Sequence, residues 1–244
     1  MHGTDLLSQN SSATRVAAPA LRHLEPVLLD PGPALALPTR SAMNWPRKIF
    51  HMIGIGSTGL TLALSSLESA AALLIISCVA ALVVTPDLLR FWFPSFNERV
   101  FRDFGFIMRD YEQHRMSGMS WFLLGMILVL SVAPPAIAGL AVLLLAFGDP
   151  WASIIGIRFG KRRILGGRKT LEGVLGGFAV CFVVSVCYFG LSGLVSAGAV
   201  VPAALLAAAA AAFAETISGS RVDDNFAIPV ICAPVLVGLI AVLG

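Results

Sequence analysis

From residue 45 onward the chain alternates long apolar runs with short polar breaks. The runs are continuous and do not alternate residue by residue, which reads as helix and not as β-barrel strand. A helix needs about 20 residues to cross a bilayer. On that measure the pattern predicts about seven spans, at roughly 49–66, 69–86, 118–133, 136–157, 173–190, 200–218 and 226–243. The first opens on Trp45-Pro46-Arg47-Lys48, with the indole placed as an interfacial anchor. The second stops at Pro86-Asp87, and Pro134-Pro135 turns the chain between the third and fourth. The fourth contains Gly148-Asp149-Pro150, where a proline inside a helix is expected to break it beside an acid. Gly173, Gly176 and Gly177 open the fifth and allow another backbone to come close. The expected fold class is all-α, a polytopic membrane protein.

Two segments depart from this rhythm. Residues 1–44 mix Ser, Pro, Ala and scattered charge, and Pro26, Pro31, Pro33 and Pro38 exclude a long helix. The stretch lacks the cationic-then-apolar order of a signal peptide. It is expected to be a mostly disordered cytoplasmic tail ahead of a membrane domain spanning 45–244. Residues 88–117 interleave Arg90, Arg99, Arg102, Arg109 and Arg115 with acids and with seven Phe and Trp residues. They predict an amphipathic element lying on the interface, placed to gate lipid entry.

Composition agrees with the pattern. The chain is 57% hydrophobic and 13% charged, against about 25% charged in soluble domains. Its cations lie in short loops between helices, which excludes a nucleic-acid-binding surface. Cys78, Cys181, Cys187 and Cys232 all fall in apolar segments without metal-ligand or disulfide spacing, and are expected to pack between helices.

The distribution of charge adds an orientation. With seven spans, the tail and the loops 87–117, 158–172 and 219–225 share one side. That side holds all 17 Lys and Arg residues, while the opposite loops hold only Glu68. By the positive-inside rule the charged side is cytoplasmic, so the N-terminus lies inside. The protein is expected to be integral to the membrane with its site on the cytoplasmic face.

On that face the sequence gathers candidate chemistry. Asp149 sits inside an apolar run, where a charge is costly and marks function. Arg158, Lys161, Arg162, Arg163, Arg168 and Lys169 follow with no acid until Glu172, a pattern suited to phosphate. Glu172, Glu215, Asp223, Asp224 and Asn225 supply hard oxygen donors of the kind Mg²⁺ takes together with substrate phosphates. Gly160, Gly166 and Gly167 would let backbone approach phosphate oxygens, although no GxxxxGK[ST] loop is present. His51 lies one turn deeper than an anchoring cation needs. The combination points to a membrane enzyme that moves a phosphate-containing group between a nucleoside triphosphate and a lipid. An anion transporter is the rival from another class. It would need polar residues across the midplane, and the outer half is almost purely apolar.

These stretches also carry a resemblance. RKIFH (47–51), MRDYEQHRMSGMSWFLLG (108–125), FGDPWASIIGIRFGKRR (147–163), GRKTLEGVLGG (167–177) and AETISGSRVDDNFAIP (214–229) occur in the order found in the CTP-dependent lipid kinases. That family comprises dolichol kinase, phytol kinase and the CTP-using diacylglycerol kinase, and is similar to the phosphatidate cytidylyltransferases. The resemblance covers roughly residues 45–244. It implies CTP as co-substrate, Mg²⁺ as cofactor and a lipid alcohol, diacylglycerol or a polyprenol, as acceptor. It implies Asp149, Lys169 and Asp224 as catalytic residues. Nucleotide contacts would come from Arg47, Lys48, Gly148, Lys161, Arg168, Lys169, Thr170 and Asn225. Metal ligands would come from Asp149, Glu172, Glu215, Asp223 and Asp224. Arg168 stands where the family often has lysine, which keeps the charge. A cytidylyltransferase making a CDP-lipid is the alternative within the same chemistry, but its Lys-Asp and His-Gly-Gly elements are absent. The glycine-lined fifth span suits either internal packing or a homodimer face.

Overall fold

A helix satisfies its backbone hydrogen bonds within itself, so long apolar runs destined for hydrocarbon fold as helices. The computed structural model describes residues 43–167, 169–218 and 222–244. The expected tail before residue 43, Arg168 and the loop residues 219–221 lie outside the described residues. Helix α1 (Trp45–Phe50) passes through a π-helical segment, His51–Ile55, into α2 (Gly56–Leu64). Then come α3 (Ser69–Leu89), α4 (Pro94–Phe104), a 3₁₀ turn (Asp110–His114), α5 (Gly118–Val132) and α6 (Pro135–Phe159). A two-residue antiparallel ladder pairs β1 (Arg163–Ile164) with β2 (Lys169–Thr170). It is a small departure from an all-α fold. Helices α7 (Leu171–Ser192), α8 (Val200–Ile217) and α9 (Asp224–Leu243) complete the chain.

Helix α6 is the axis of the bundle. Ala138, Leu140, Ala141, Val142, Leu144, Leu145 and Ala146 along it are fully buried, and α2, α7 and α9 pack around it. Helix α8 fits between α7 and α9 because Ala203, Ala204, Ala207, Ala208, Ala211 and Ala214 give it a thin buried face. Helix α5 packs against α3 and α9. Helices α2 and α6 approach each other closely. A Cβ on Gly139 would lie 2.6 Å from the Ala63 amide nitrogen and 2.7 Å from the Gly59 carbonyl oxygen.

Among the described residues, five helices are long and apolar enough to cross a membrane: α3, α6, α7, α8 with the 3₁₀ turn before it, and α9. Helix α5 is apolar but only 15 residues long, and the first run reaches Leu64 only through its three helical pieces. Outward-facing side chains are apolar, with Leu64, Leu82 and Val242 each about three-quarters exposed or more. A belt of this kind is the mark of a lipid-facing wall.

Three expectations need correction. Helix α6 runs unbroken through Pro150, and α3 continues past Pro86-Asp87 to Leu89. A proline removes one N–H from the ladder, and neighbouring helices hold the strand of backbone in place; Pro150 is among the most deeply buried residues. The irregularity falls instead in the first run, at the π-segment that begins with His51. Of the four cysteines only Cys181 and Cys232 are buried, while Cys78 and Cys187 face outward.

Candidate active site

Polar side chains from six segments meet at one end of the bundle. Asn44 caps α1, its Oδ1 accepting from the Arg47 amide at 3.2 Å. One turn on, Lys48 Nζ donates to Ser153 Oγ on α6 at 2.6 Å. Ser153 lies one turn beyond Asp149, so Lys48 ties the first helix to the acid-bearing one. His51, 5% exposed, places Nε2 4.0 Å from Asp149 Oδ2, with no hydrogen-bond partner. Wide π turns in helices frequently mark functional positions, and this one starts at that histidine.

A second group gathers at the start of α9. Asp223 caps the helix, Oδ1 accepting from the Asn225 amide at 3.0 Å. Its Oδ2 accepts from Arg109 Nη1 at 2.9 Å. Asp224 accepts from Ser218 Oγ, lies 3.8 Å from Lys169 Nζ, and is 3.7 Å from Arg109 Nη2. Lys169 Nζ also donates to Glu215 Oε1 at 2.6 Å. Burial would lower the Lys169 ammonium, but Asp224 and Glu215 outweigh it and hold the group above the usual lysine range. Asp149 lies within electrostatic reach of Arg109, Lys169 and Arg47, and of Asp224. The two groups therefore form one site.

Beside them a small pocket opens between α6, α7, α8 and α9. Asp149 and Glu215 are its acids, and its other walls are small or apolar, including Gly148, Gly177, Cys181 and Ala211. Buried polar atoms normally find partners, yet here Glu215 Oε2, Asn225 Oδ1 and His51 Nε2 have none. Among the described residues Asp149 makes no hydrogen bond, and its one ion-pair contact is the 4.0 Å approach to His51. Of these groups Asp149 and Glu215 line the pocket, so two carboxylates with unmet hydrogen-bonding capacity face it.

The expected site residues divide. Arg47, Lys48, Asp149, Lys169, Glu215, Asp223, Asp224 and Asn225 come together. Glu172 does not join them. It is half-buried at the start of α7, and its carboxylate accepts from the amides of Lys161 (3.0 Å) and Arg162 (3.2 Å). Thr170 caps α7 through Oγ1. Gly148 serves packing, since a Cβ there would meet Cys181 Sγ at 2.5 Å. Arg158 stands exposed in the last turn of α6, and Lys161, Arg162 and Arg163 stand exposed in the loop, which turns through positive φ at Gly166 and Gly167. Arg168 lies outside the described residues, so Lys169 is the loop cation seen to reach the acids.

Arg109, Tyr111 and Glu112 enter the site without having been expected as its residues. Burial pushes the Glu112 carboxyl up, with Arg109 and Arg47 pulling against it. Their signal lay in MRDYEQHRM, a matched motif to which no site role had been attached.

No known family profile matches the chain. It is 32% identical over 199 residues to CTP-dependent diacylglycerol kinase 1 of Schizosaccharomyces pombe, covering 78% of this chain and 91% of that protein. It is 29% identical to CTP-dependent diacylglycerol kinase 1 of Eremothecium gossypii, over 77% of this chain and 64% of that protein. The protein of that name from Saccharomyces cerevisiae is 28% identical, over 76% and 70%. Bundle and site together define an integral membrane protein with a polar, charged site at one end. The chain belongs to the CTP-dependent lipid kinase family.

Proposed function

We propose that this protein transfers the γ-phosphate of CTP to the free hydroxyl of diacylglycerol at the cytoplasmic face of a membrane. The observation that carries the reading is Asp149, a carboxylate without a hydrogen bond among the described residues, at the wall of a pocket beside Lys169 and its acids. The relatives' names supply donor and acceptor.

The geometry supports one division of roles. The apolar pocket admits the hydroxyl-bearing end of the lipid, where Asp149 accepts the hydroxyl proton. The hydroxyl oxygen forms its bond to the γ-phosphorus as the bond to the β–γ bridging oxygen breaks, and CDP leaves. Lys169, Arg47 and Lys48 offset the charge on the phosphates, as phosphoryl transfer requires. Mg²⁺ fits this donor set. It is usually held by one or two carboxylates completed by substrate phosphates, and Asp224 with the unpartnered Asn225 Oδ1 offers such a start. Among the described residues no three His, Cys, Asp or Glu side chains form a cage of their own. When bound, the ion would neutralise phosphate charge. Glu215 positions Lys169, and Asp223 positions Arg109. Neither is assigned to the metal.

For the spans, we take α1 to α2 as one crossing and α5 as another. Together with the five long helices they give seven, with the N-terminus and all cationic loops in the cytoplasm. A cysteine placed at Gly166 should react with an impermeant maleimide only from the cytoplasmic side, and one placed at Glu68 only from the other.

The deciding experiment supplies purified protein in liposomes with γ-labelled CTP and diacylglycerol. Label in phosphatidic acid with matching CDP supports the reading. Release of pyrophosphate with a CDP-lipid would replace it with cytidylyl transfer. Preference for a polyprenol over diacylglycerol would change the acceptor. No transfer to any acceptor would end it.

A further inference from the structure

The polar connector between α3 and α5 is built around a single arginine. Arg90 is 1% exposed at the end of α3. A guanidinium has five N–H donors, and here each one is used. Nε donates to Asp87 Oδ1 at 2.8 Å, and Nη1 donates to Asn97 Oδ1 at 2.7 Å and to the Gln113 carbonyl at 3.4 Å. Nη2 donates to the carbonyls of Glu112 at 2.7 Å and Arg115 at 2.6 Å. Asn97 Nδ2 reaches the same Gln113 carbonyl at 3.0 Å. The other oxygen of Asp87 accepts from the Ser117 amide at 2.8 Å and Ser120 Oγ at 2.7 Å, at the start of α5. Three of the five acceptors are backbone carbonyls from 112 to 115. The buried pair thus fixes the turn that immediately follows Arg109.

Arg109 is what that turn delivers. Its side chain is 21% exposed and packs against the Tyr111 ring with its guanidinium carbon 5.5 Å from the centroid. Nη1 is committed to Asp223 and to the Tyr111 hydroxyl. Nη2 reaches Asp224 only as an ion pair at 3.7 Å. That is too long for a hydrogen bond, so this side of the guanidinium keeps donors in hand among the described residues. Asp224 is the carboxylate that Lys169 also approaches. Two cations from distant parts of the chain thus converge on one acid, with an open edge on the planar one.

We propose that Arg109 is a ligand of the nucleotide phosphates, and that the Asp87–Arg90 pair is a positioning device that aims it. This deepens the kinase reading and rests on it. A guanidinium with a free edge matches two phosphate oxygens, and the carboxylates hold that edge in place until nucleotide arrives.

The test measures KM for CTP and for diacylglycerol separately on the full chain in mixed micelles, with direct CTP binding by calorimetry alongside. Arg109→Ala should raise KM and the dissociation constant for CTP roughly 10- to 100-fold and leave KM for diacylglycerol within about twofold. Arg109→Lys should recover part of the loss. No change for CTP, or equal changes for both substrates, overturns the phosphate role. Asn97→Ala, which loosens the turn without touching the site, should raise KM for CTP several-fold. Combined with Arg109→Ala it should add nothing further, because coupled residues are not additive. Additive losses, or an unchanged KM for CTP in Asn97→Ala, would overturn the positioning role. A wild-type chain that binds CTP but produces no CDP refutes the kinase reading alone, since calorimetry still reports on Arg109.

Discussion

At the scale of single residues, the site is a problem in keeping charge where hydrocarbon would expel it. Asp149 is stabilised by cations around it and by none in direct contact, which leaves its oxygens for a substrate. Asp149→Asn keeps the shape and removes the proposed proton acceptor. It should lower kcat by about 10²–10⁴-fold with the melting temperature in detergent little changed; turnover near the wild-type rate would remove Asp149 from the chemistry. Lys169 bears on pH. The folded chain holds its proton more tightly than the unfolded chain does. That stabilisation is fully present below the usual lysine range and is lost as pH rises through the raised value. Lys169 therefore stays charged through the neutral and mildly alkaline range. Glu215→Gln removes one of the two carboxylates responsible and should pull the alkaline limit of kcat/KM for CTP to lower pH. A limit that stays put would mean that another group sets it.

At the scale of elements, the apolar runs made the helices legible because length and hydropathy alone decide them. Loops were harder to read. Glu172 looked like part of an acidic cluster, yet its carboxylate accepts from the amides of Lys161 and Arg162 and caps its own loop. Pro150 looked like a break, but it is fully buried and α6 continues through it. Arg90 and Asp87 looked like a span boundary, because sequence does not show that carbonyls more than 20 residues ahead will return to meet them. The contact between α2 and α6 carries a prediction of its own. Gly139→Val forces side-chain atoms against the Ala63 amide and the Gly59 carbonyl, an overpacking that costs about 1–3 kcal/mol. Because α1 carries Arg47 and Lys48 on the same run, thermal stability and CTP affinity should fall together. Loss of stability with CTP affinity untouched would show that the first run moves independently of its cations.

At the scale of the whole molecule, candidate acids and the cations that face them stand at one end of a bundle whose flanks are apolar. Of the expected group, Asp149, Lys169, Glu215 and Asp223–Asn225 were readable because each interrupts an apolar run or opens one. Arg109, Tyr111 and Glu112 were not, because a connector rich in charge hides which of its charges turn inward. The pocket beside Asp149 is walled by small and apolar side chains of four of these helices. On the proposed reading the lipid substrate arrives by lateral diffusion within a two-dimensional solvent, and the concentration the protein senses is a mole fraction in the surface. Diluting diacylglycerol with inert lipid or detergent, at constant total amount per millilitre, should slow turnover in proportion to surface dilution, whereas diluting the vesicles themselves should leave the rate per protein unchanged.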